Sequence, residues 1–438
     1  MVSPSTAISR LIPSLLLGSL RTALDFPSEF SKFYTGGDPD QCTGIEDLIR
    51  SKGYPFEKHD VITSDGYIIE MHRIPHGREK CKGMCHKQPI ILMSGLLGDS
   101  SNYVMDYPKQ SLGYVLADKG YDVWLGNVRG NTYGKRHKRY NTRSRRFWNF
   151  SFHEHGKYDL PAQIDYVLKM TGREDLIYTG ISQGTLMFFT MVSEKPQYND
   201  KVKAFIGLAP FNKLSHMNVD VLAMLAPVAE SYVEQERCLQ EQRQKTGEAR
   251  KVPCTEESFM YAAGQYELMP KGFPLLPLAR SFCAFPTRAI CSFFGDQFSN
   301  LGSKYINTTR IPVYLCHAPA GTSMKNLVHF AQLVTSKKAT KFDYGPEDNM
   351  IYYGQEEAPE YKISNVKTDV GIFWSRGDQF VPPENVRELI KDLGPRVKKN
   401  FYINDPYYTH VHFAIALNNP QVLHKDLIGF IDKYASSS

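Results

Sequence analysis

The amino-acid sequence predicts an α/β fold with a mostly parallel central sheet, helices on both faces and an inserted, mainly helical cap. Short apolar runs at residues 90–93, 176–179 and 202–209 are typical of strands that are covered on both faces. Segments with helical spacing of apolar residues separate them, and such an alternation favours a parallel sheet. A length of 438 residues with 42% hydrophobic residues suits a large core that carries an insertion.

The amino-terminal segment has the features of a secretory signal peptide. Residues 11–20 form an apolar run after Arg10 that is too short to span a bilayer but has the length of a signal-peptide core. We therefore expect residues 1–24 to be a signal peptide and the protein to enter the secretory pathway. No later segment reaches 18 uninterrupted apolar residues, so the mature chain is expected to lack a transmembrane segment.

The first elements of the sheet are predicted to be antiparallel. Residues 61–63 and 67–71 alternate apolar and polar side chains around a Ser-Asp-Gly turn, which indicates a hairpin at the edge of the sheet. Residues 121–125 are a further strand. A helix is then expected to begin at Asp159, as its N-cap, and to end at Gly172.

A serine lies between two glycines where a predicted strand turns into a predicted helix. In Gly180-Ile181-Ser182-Gln183-Gly184 the glycines allow backbones to approach closely, and the strained turn holds the serine hydroxyl out of the fold. The amide of Gln183 lies at the start of the helix and is free to donate to a developing oxyanion. Because glycine and serine are common residues, the flanking strand and helix carry this prediction rather than the motif alone.

A second loop is predicted to complete the oxyanion site. Residues 94–100 follow the buried strand at 90–93, and their glycines let backbone amides approach a ligand. We expect the amide of Leu96 to donate beside that of Gln183. The alternative is an ordinary loop between a strand and a helix.

A serine nucleophile needs a base and an orienting carboxylate, which in this class of fold follow the serine in the order acid, then histidine. Asp378 follows a predicted strand at 370–374, and His410 follows a strand-like segment and a turn. The sequence therefore predicts a Ser182, Asp378 and His410 triad. Rival residues are His412 for the base, and Asp405 and Asp369 for the acid.

Metal chemistry is the weaker interpretation of the histidines. His410 with His412, and His153 with His155, have the spacing of paired ligands, but neither pair comes with a convincing third ligand. The cysteines likewise contain no Cys-x-x-Cys motif. We therefore expect neither a metal nor a cofactor.

Eight cysteines in a chain of this length do not indicate a disulfide scaffold, although local bridges are expected. The pairs suggested by spacing are Cys283 with Cys291 and Cys81 with Cys85. Two glycosylation sequons agree with a secretory route, and they begin at Asn149 and Asn307.

The formal charge of +6 is small for this length and is partly gathered in one loop. No recognised nucleic-acid-binding motif accompanies the cluster, so nucleic acid is not an expected partner. A solvated basic loop is the simpler interpretation of its members, Arg129, Lys135, Arg136, Lys138, Arg139, Arg143, Arg145 and Arg146.

The regular alternation of strands and helices lapses after about residue 211 and resumes near residue 370. We interpret residues 25–210 as the first part of the core, 211–360 as a cap inserted over the Ser182 turn, and 361–438 as the second part of the core. A separate domain is the alternative for the insertion.

A series of specific motifs also runs through residues 44–430. They are Gly53-Tyr54-Pro55, Ser64-Asp65-Gly66-Tyr67-Ile68, Gly95-Leu96-Leu97, Gly126-Asn127-Val128-Arg129-Gly130-Asn131-Thr132, Phe147-Trp148, Phe150-Ser151-Phe152, Lys157-Tyr158-Asp159-Leu160-Pro161-Ala162, Gly180-Ile181-Ser182-Gln183-Gly184-Thr185 and Ala320-Gly321-Thr322-Ser323. In this order they resemble the acid lipase family of the α/β-hydrolase fold, the gastric and lysosomal acid lipases and their invertebrate relatives. We expect an invertebrate member.

By motif position, the resemblance places the nucleophile on Ser182, the acid on Asp378, the base on His410 and the oxyanion donors on Leu96 and Gln183. Members of the family hydrolyse triacylglycerols or cholesteryl esters at a lipid surface and are secreted or lysosomal. The resemblance therefore implies a lipase whose substrate is a neutral lipid at a lipid–water interface.

Two residues depart from the family pattern. Ser94 replaces the usual histidine before the glycine of the oxyanion loop, and His412 occupies a position that is usually not histidine. The segment at about 225–275 also differs from the usual cap. These departures keep open a lipid-binding relative with weakened catalysis. A carboxylesterase that is not a lipase is the second alternative.

Overall fold

The computed structural model describes residues 38–79, 88–217, 266–271 and 304–435. Its strands are β1 Glu57–Ile62, β2 Tyr67–Ile74, β3 Pro89–Met93, β4 Asp122–Gly126, β5 Arg136–His137, β6 Leu176–Ile181, β7 Val202–Leu208, β8 Glu267–Leu268, β9 Thr322–Ser323, β10 Asp369–Ser375 and β11 Val397–Ile403.

Helices flank these strands. They are α1 Ile45–Arg50, α2 Leu112–Asp118, α3 Leu160–Thr171, α4 Gln183–Glu194, α5 Ile311–His317, α6 Met324–Ser336, α7 Pro346–Tyr353, α8 Pro383–Leu393, α9 His412–Ile415 and α10 Lys425–Ala435. Shorter helical turns cover Ser100–Tyr103, Phe152–Glu154, His155–Asp159, Pro196–Asn199, Thr308–Arg310, Ile363–Asn365, Gly394–Arg396 and Pro420–His424.

The main sheet has the order β1-β2-β4-β3-β6-β7-β10-β11, with β5 beside β2. The predicted hairpin is present, since β1 and β2 pair in an antiparallel register, and β2 also runs antiparallel to β4. From β4 to β11 all neighbouring strands are parallel. The prediction of a mostly parallel α/β sheet is confirmed.

Helices cover both faces of the sheet, which explains why the central strands lack alternation. Within β3, Ile90 and Leu92 point into an apolar cluster with α1, α2 and α10, whereas Ile91 points into a cluster with α3, α4 and α8. All five residues of β3 and all six of β6 are buried. Burial on two faces removes the need for a polar side, so the run is continuously apolar.

The aromatic segment before α3 belongs to the core. The four aromatic side chains of this segment are all buried, namely Phe147, Trp148, Phe150 and Phe152. Of residues 147–152, only Asn149 faces solvent. The ring of Phe150 packs edge to face against Tyr67 of β2, and the ring of Phe147 contacts it at a tilt. The segment is therefore packing rather than a binding platform.

The position of Arg129 corrects the interpretation of the basic cluster as a solvated loop, because this residue is buried. Its side chain is only 1% exposed and lies between two carboxylates. Its Nε and Nη2 donate to Oδ1 of Asp159 at 2.8 and 2.6 Å, and its Nη1 donates to Oδ2 of Asp65 at 2.6 Å. The guanidinium also lies 3.9 Å from the ring centroid of Tyr67.

The prediction that the side chain of Asp159 caps α3 is also corrected, because it makes no capping hydrogen bond. A π-helical turn precedes the helix, so Asp159 already has helical dihedral angles. Its carboxylate accepts hydrogen bonds from Arg129 instead. Burial raises the pKa of Asp159 to about 6, although Arg129 acts in the opposite direction. Gly172 ends α3 in the left-handed conformation, as predicted.

The predicted cap, residues 211–360, lies within the described ranges only at 211–217, 266–271 and 304–360. These parts contain helices α5, α6 and α7, and β8 pairs with β9 in an antiparallel register. The boundaries proposed for the signal peptide, the cap and the two parts of the core stay predictions.

A disulfide joins Cys42, just before α1, to Cys316 in α5, with the two Cα atoms 4.9 Å apart. The pairs suggested by spacing, Cys283 with Cys291 and Cys81 with Cys85, lie outside the described residues, as does the predicted signal peptide. In the described ranges, no helix is both long enough and apolar enough to cross a bilayer.

We expect Arg129→Met to lower the free energy of unfolding by about 3 to 5 kcal/mol, because it leaves the carboxylates of Asp159 and Asp65 without their buried partner. Arg136→Met is the matched control, since Arg136 pairs with Asp60 at the surface and both side chains are about half exposed. Its cost should stay below about 1 kcal/mol. Chemical denaturation measures both, and equal losses would contradict the prediction.

Candidate active site

Ser182 lies at a tight turn between the end of β6 and the start of α4. Its backbone has φ 54° and ψ −122°, a conformation that residues with a Cβ rarely adopt. The amide of Ser182 donates to the carbonyl of Leu208 at the end of β7, at 2.9 Å. The strained turn that the Gly-x-Ser-x-Gly motif predicts is thus present.

The two glycines of the motif are required by the backbone on either side. A Cβ added to Gly180 would lie 2.6 Å from the carbonyl carbon of Gly184, and one added to Gly184 would lie 2.6 Å from the carbonyl oxygen of Met93. Real Cβ atoms do not approach backbone this closely. The turn therefore packs directly on the end of β3.

The loop after β3 lies against Ser182. A Cβ added to Gly95 would lie 2.9 Å from the Cβ of Ser182, and Leu97 in the same loop has φ 60°. The Ser94 hydroxyl donates to the carbonyl of Asp99 at 2.5 Å and ties the two ends of the loop together. This bond gives Ser94 a structural role in the loop, at the position where the family pattern has histidine.

The two amides predicted to bind an oxyanion are available. Gln183 is the first residue of α4, so its amide has no acceptor within the helix. Within the described residues the amide of Leu96 donates to no protein acceptor. Both amides belong to segments that contact Ser182.

Asp378 and His410 are in direct contact. They follow β10 and β11, and Oδ2 of Asp378 lies 2.8 Å from Nδ1 of His410. A carboxylate only accepts, so Nδ1 carries the proton and donates. The other oxygen of Asp378 accepts the amides of Phe380 at 3.0 Å and Val381 at 2.8 Å.

The two members of this pair differ in how deeply their side chains are buried. The Asp378 side chain is 2% exposed and that of His410 is 13% exposed. Asp378 is therefore fixed inside the loop, while the ring of His410 reaches solvent. Ser182 makes no direct hydrogen bond to His410 in the described part of the chain, and such bonds are often completed only with substrate.

All these groups lie at one edge of the sheet. Leu96, Ser182, Asp378 and His410 each follow the carboxyl end of a strand, β3, β6, β10 and β11 respectively. Because these strands are parallel, their carboxyl ends share one edge. The chain thus brings to one place residues that are more than 300 positions apart in the sequence.

The rival base His412 is buried in a different environment. Its Nδ1 accepts from the amide of Thr409 at 2.7 Å and contacts the Thr409 hydroxyl at 2.9 Å. Burial lowers the pKa of His412 to about 4. His412 is therefore a neutral structural residue that shapes the loop carrying His410.

The rival acids have partners elsewhere. Asp405 accepts from the hydroxyl of Tyr305 at 2.5 Å, and Asp369 accepts from the hydroxyl of Tyr434 at 3.0 Å. Neither carboxylate contacts the ring of His410. Among the candidates for the acid, only Asp378 is bonded to it.

The second histidine pair is also engaged by protein groups. His153 contacts the hydroxyl of Tyr361 at 2.8 Å, and His155 lies 3.3 Å from the side-chain amide of Gln183. Burial lowers the pKa of His155 to about 3. In the described ranges, no group of three or more potential ligand residues could hold a metal ion.

Sequence reasoning missed a buried contact beside the serine. The side chain of Asn326, in the first turn of α6, donates to Gln183 at 2.7 Å. The motif at residues 320–323 ends three positions before Asn326, but nothing in the local pattern connects Asn326 with residue 183. Only the fold brings the two segments together.

The sequons differ in their surroundings. Asn149 is exposed, and its Oδ1 accepts from Lys325 at 2.9 Å. Asn307 is partly exposed and caps a helical turn by accepting from the amide of Thr309 at 3.2 Å. Glycosylation at either position stays a prediction.

Family models match two parts of the chain. One, described as a partial α/β-hydrolase lipase region, matches residues 45–107, and one described as the α/β hydrolase fold matches residues 88–237. Together with the sheet, these matches define a protein of the α/β-hydrolase fold with a lipase-type region in its amino-terminal part.

Curated relatives extend this likeness over nearly the whole chain. Gastric triacylglycerol lipase of Homo sapiens is 33% identical over 92% of this chain and 94% of its own. Lipase lipl-1 of Caenorhabditis elegans is 34% identical over 90% and 92%, and a putative lysosomal acid lipase/cholesteryl ester hydrolase of Crotalus adamanteus is 32% identical over 91% and 92%. The chain belongs to the acid lipase family.

We expect the burial of His412 to make the protein lose stability in acid. Between pH 6.5 and about 4 the unfolded chain binds a proton at His412 that the folded chain does not, so folding weakens as pH falls through this window. The variant His412→Gln lacks this titration. The stability of the parent relative to the variant should therefore fall by about 1.4 kcal/mol per pH unit.

Urea denaturation of both proteins at pH 6.5, 5.5 and 4.5 measures this difference. Any constant cost of the substitution appears equally at each pH and cancels from the slope. Parallel lines for parent and variant would contradict the burial argument.

Proposed function

We propose that the chain is a lipase that hydrolyses the ester bonds of neutral lipids through Ser182, His410 and Asp378. The observation that carries the proposal is the arrangement at one sheet edge of a strained serine, two free amides and a histidine bonded to a buried carboxylate. The reaction needs a nucleophile, an oxyanion site and a base, and these groups supply each of them.

In the proposed first step, His410 takes the proton of the Ser182 hydroxyl at Nε2 while the serine oxygen attacks the carbonyl carbon of the ester. Negative charge develops on the carbonyl oxygen, where the amides of Leu96 and Gln183 donate. Asp378 holds the Nδ1 proton and stabilises the cationic ring. The protonated His410 then gives its proton to the leaving alcohol, and an acyl-enzyme remains.

Water completes the cycle by the same groups. His410 takes a proton from the water, whose oxygen attacks the acyl carbon, and the ring returns that proton to Ser182 as the fatty acid leaves. The serine is regenerated without an external reductant, oxidant or cofactor.

Relatives support the substrate class. Their names specify triacylglycerol in one case and cholesteryl ester in another. We infer a long-chain ester of glycerol or a sterol, presented at a lipid–water interface. The tie between Ser94 and Asp99 and the structural role of His412 argue against a relative whose departures have removed catalysis.

We also infer a secreted or lysosomal location. The bridge between Cys42 and Cys316 suits an oxidising compartment. Relatives with gastric and lysosomal names, and the predicted signal peptide, agree with this route.

Purified Ser182→Ala is expected to lose a factor on the order of 10⁵ to 10⁶ in kcat on a long-chain ester, because the nucleophile is removed. Ser336→Ala, at an exposed position of α6, is the matched control and should keep the activity of the parent. A fluorescent phosphonate should label the parent at Ser182 but leave the Ala variant unlabelled. Hydrolysis by Ser182→Ala at the parental rate would refute the proposal.

The lipase assignment has its own test, made on the parent enzyme. The rate on a glycerol ester of medium chain length should rise sharply when the substrate exceeds its solubility limit, because a lipase acts on the aggregated phase. A smooth saturation curve through that limit, with the phosphonate still labelling Ser182, would instead indicate a carboxylesterase for soluble esters.

A further inference from the structure

The side-chain amide of Gln183, next to the proposed nucleophile, is held at both ends by buried groups. Its Oε1 accepts Nδ2 of Asn326 at 2.7 Å, and its Nε2 lies 3.3 Å from Nδ1 of His155. Gln183 is 2% exposed, and Asn326 and His155 are fully buried. Protein groups, rather than solvent, therefore determine how this amide is oriented.

A backbone amide sets the direction of the whole chain of contacts. The amide of Phe152 donates to Oδ1 of Asn326 at 2.7 Å, and a backbone N–H can only donate. The NH₂ group of Asn326 must then face Gln183, whose own NH₂ group faces His155. Burial lowers the pKa of His155 to about 3, so its ring is neutral, and Nδ1 accepts from Gln183 in the tautomer that carries the proton on Nε2.

The backbone amide and both polar side-chain atoms of Asn326 are hydrogen-bonded. Its backbone amide donates to the hydroxyl oxygen of Ser323, the N-cap of α6, at 3.0 Å. The Ser323 hydroxyl donates in turn to the carbonyl of Phe150 at 2.5 Å. The second hydrogen of Nδ2 is directed to the hydroxyl of Thr322 at 3.0 Å.

We propose that Asn326 is a positioning residue that acts through the side chain of Gln183 on the oxyanion amide of Gln183. The inference rests on the proposed function, in which that amide stabilises the developing charge. Gln183 is the first residue of α4, and the turn before it is bonded to β7 through the amide of Ser182. The anchored side chain of Gln183 adds a further restraint on the orientation of its own backbone amide. Misplacing a catalytic donor by about 1 Å can cost on the order of 10² in rate.

The variant Asn326→Asp tests this role with almost no change in shape. The carboxylate keeps an acceptor for the amide of Phe152, but it places a second acceptor against Oε1 of Gln183 where a donor stood. We expect kcat on a soluble ester to fall by about 10- to 100-fold. KM should change little, because the side chains of Asn326 and Gln183 are buried.

Asn349→Asp is the matched control. Asn349 is 1% exposed, and its Nδ2 donates to Asp343 and to the carbonyl of Glu356, both at 2.7 Å. It lies in α7 and makes no hydrogen bond to Gln183 in the described part of the chain, so the same chemical change should lower stability without lowering kcat. An equal loss of kcat in both variants would mean that burial of a carboxylate, not positioning, is responsible.

Gln183→Leu provides the second arm, since it removes the side-chain acceptor and keeps the backbone amide. If Asn326 acts through Gln183, adding Asn326→Asp to Gln183→Leu should lower kcat little further. A full additional loss in that background would overturn the inference. If Asn326→Asp does not fold, Gln183→Leu alone decides, because parental kcat in that variant would equally overturn it.

The outcomes separate this inference from the proposed function. Parental activity in Ser182→Ala would show that Ser182 is not the nucleophile, and both proposals would then fail. An inactive Ser182→Ala together with parental kcat in Asn326→Asp would overturn the positioning role alone.

Discussion

The candidate site depends on one steric constraint, the meeting of three backbone segments where no Cβ fits. The first helical turn after Ser182 contacts the end of β3 at Gly184 and folds back on its own strand at Gly180. Only glycine permits this approach, and Ser182 at its centre has a left-handed φ of 54°. This close approach of the backbone segments brings together the serine, the first amide of α4 and the loop that carries Leu96.

The parallel sheet and the segment after residue 304 then supply the other groups. Asp378 and His410 reach the serine edge because β10 and β11 run parallel to β6. The first turn of α6 lies within the predicted cap, yet its Asn326 bonds directly to Gln183. The turn at Ser182 is therefore held by groups from the sheet and from α6, which lies in the segment predicted to be the cap.

The elements that sequence could predict are those with a local cause. The hairpin at 61–71 follows from alternation and a Ser-Asp-Gly turn, and β3 and β6 follow from apolar runs. Contacts between distant segments leave no such pattern. The bridge between Cys42 and Cys316 spans 274 positions, and Arg129 looked like one more surface cation until the fold placed it between Asp65 and Asp159.

The two histidines at 410 and 412 show why spacing alone could not assign the base. Both follow the same strand and lie two residues apart, but His410 donates to a buried carboxylate and keeps its ring partly exposed. His412 instead receives a backbone amide at Nδ1 and is fully buried. A general base must gain and release a proton at the working pH. The carboxylate partner and the partly exposed ring support His410 as the proposed base, whereas His412 is enclosed and its Nδ1 is occupied by a backbone amide.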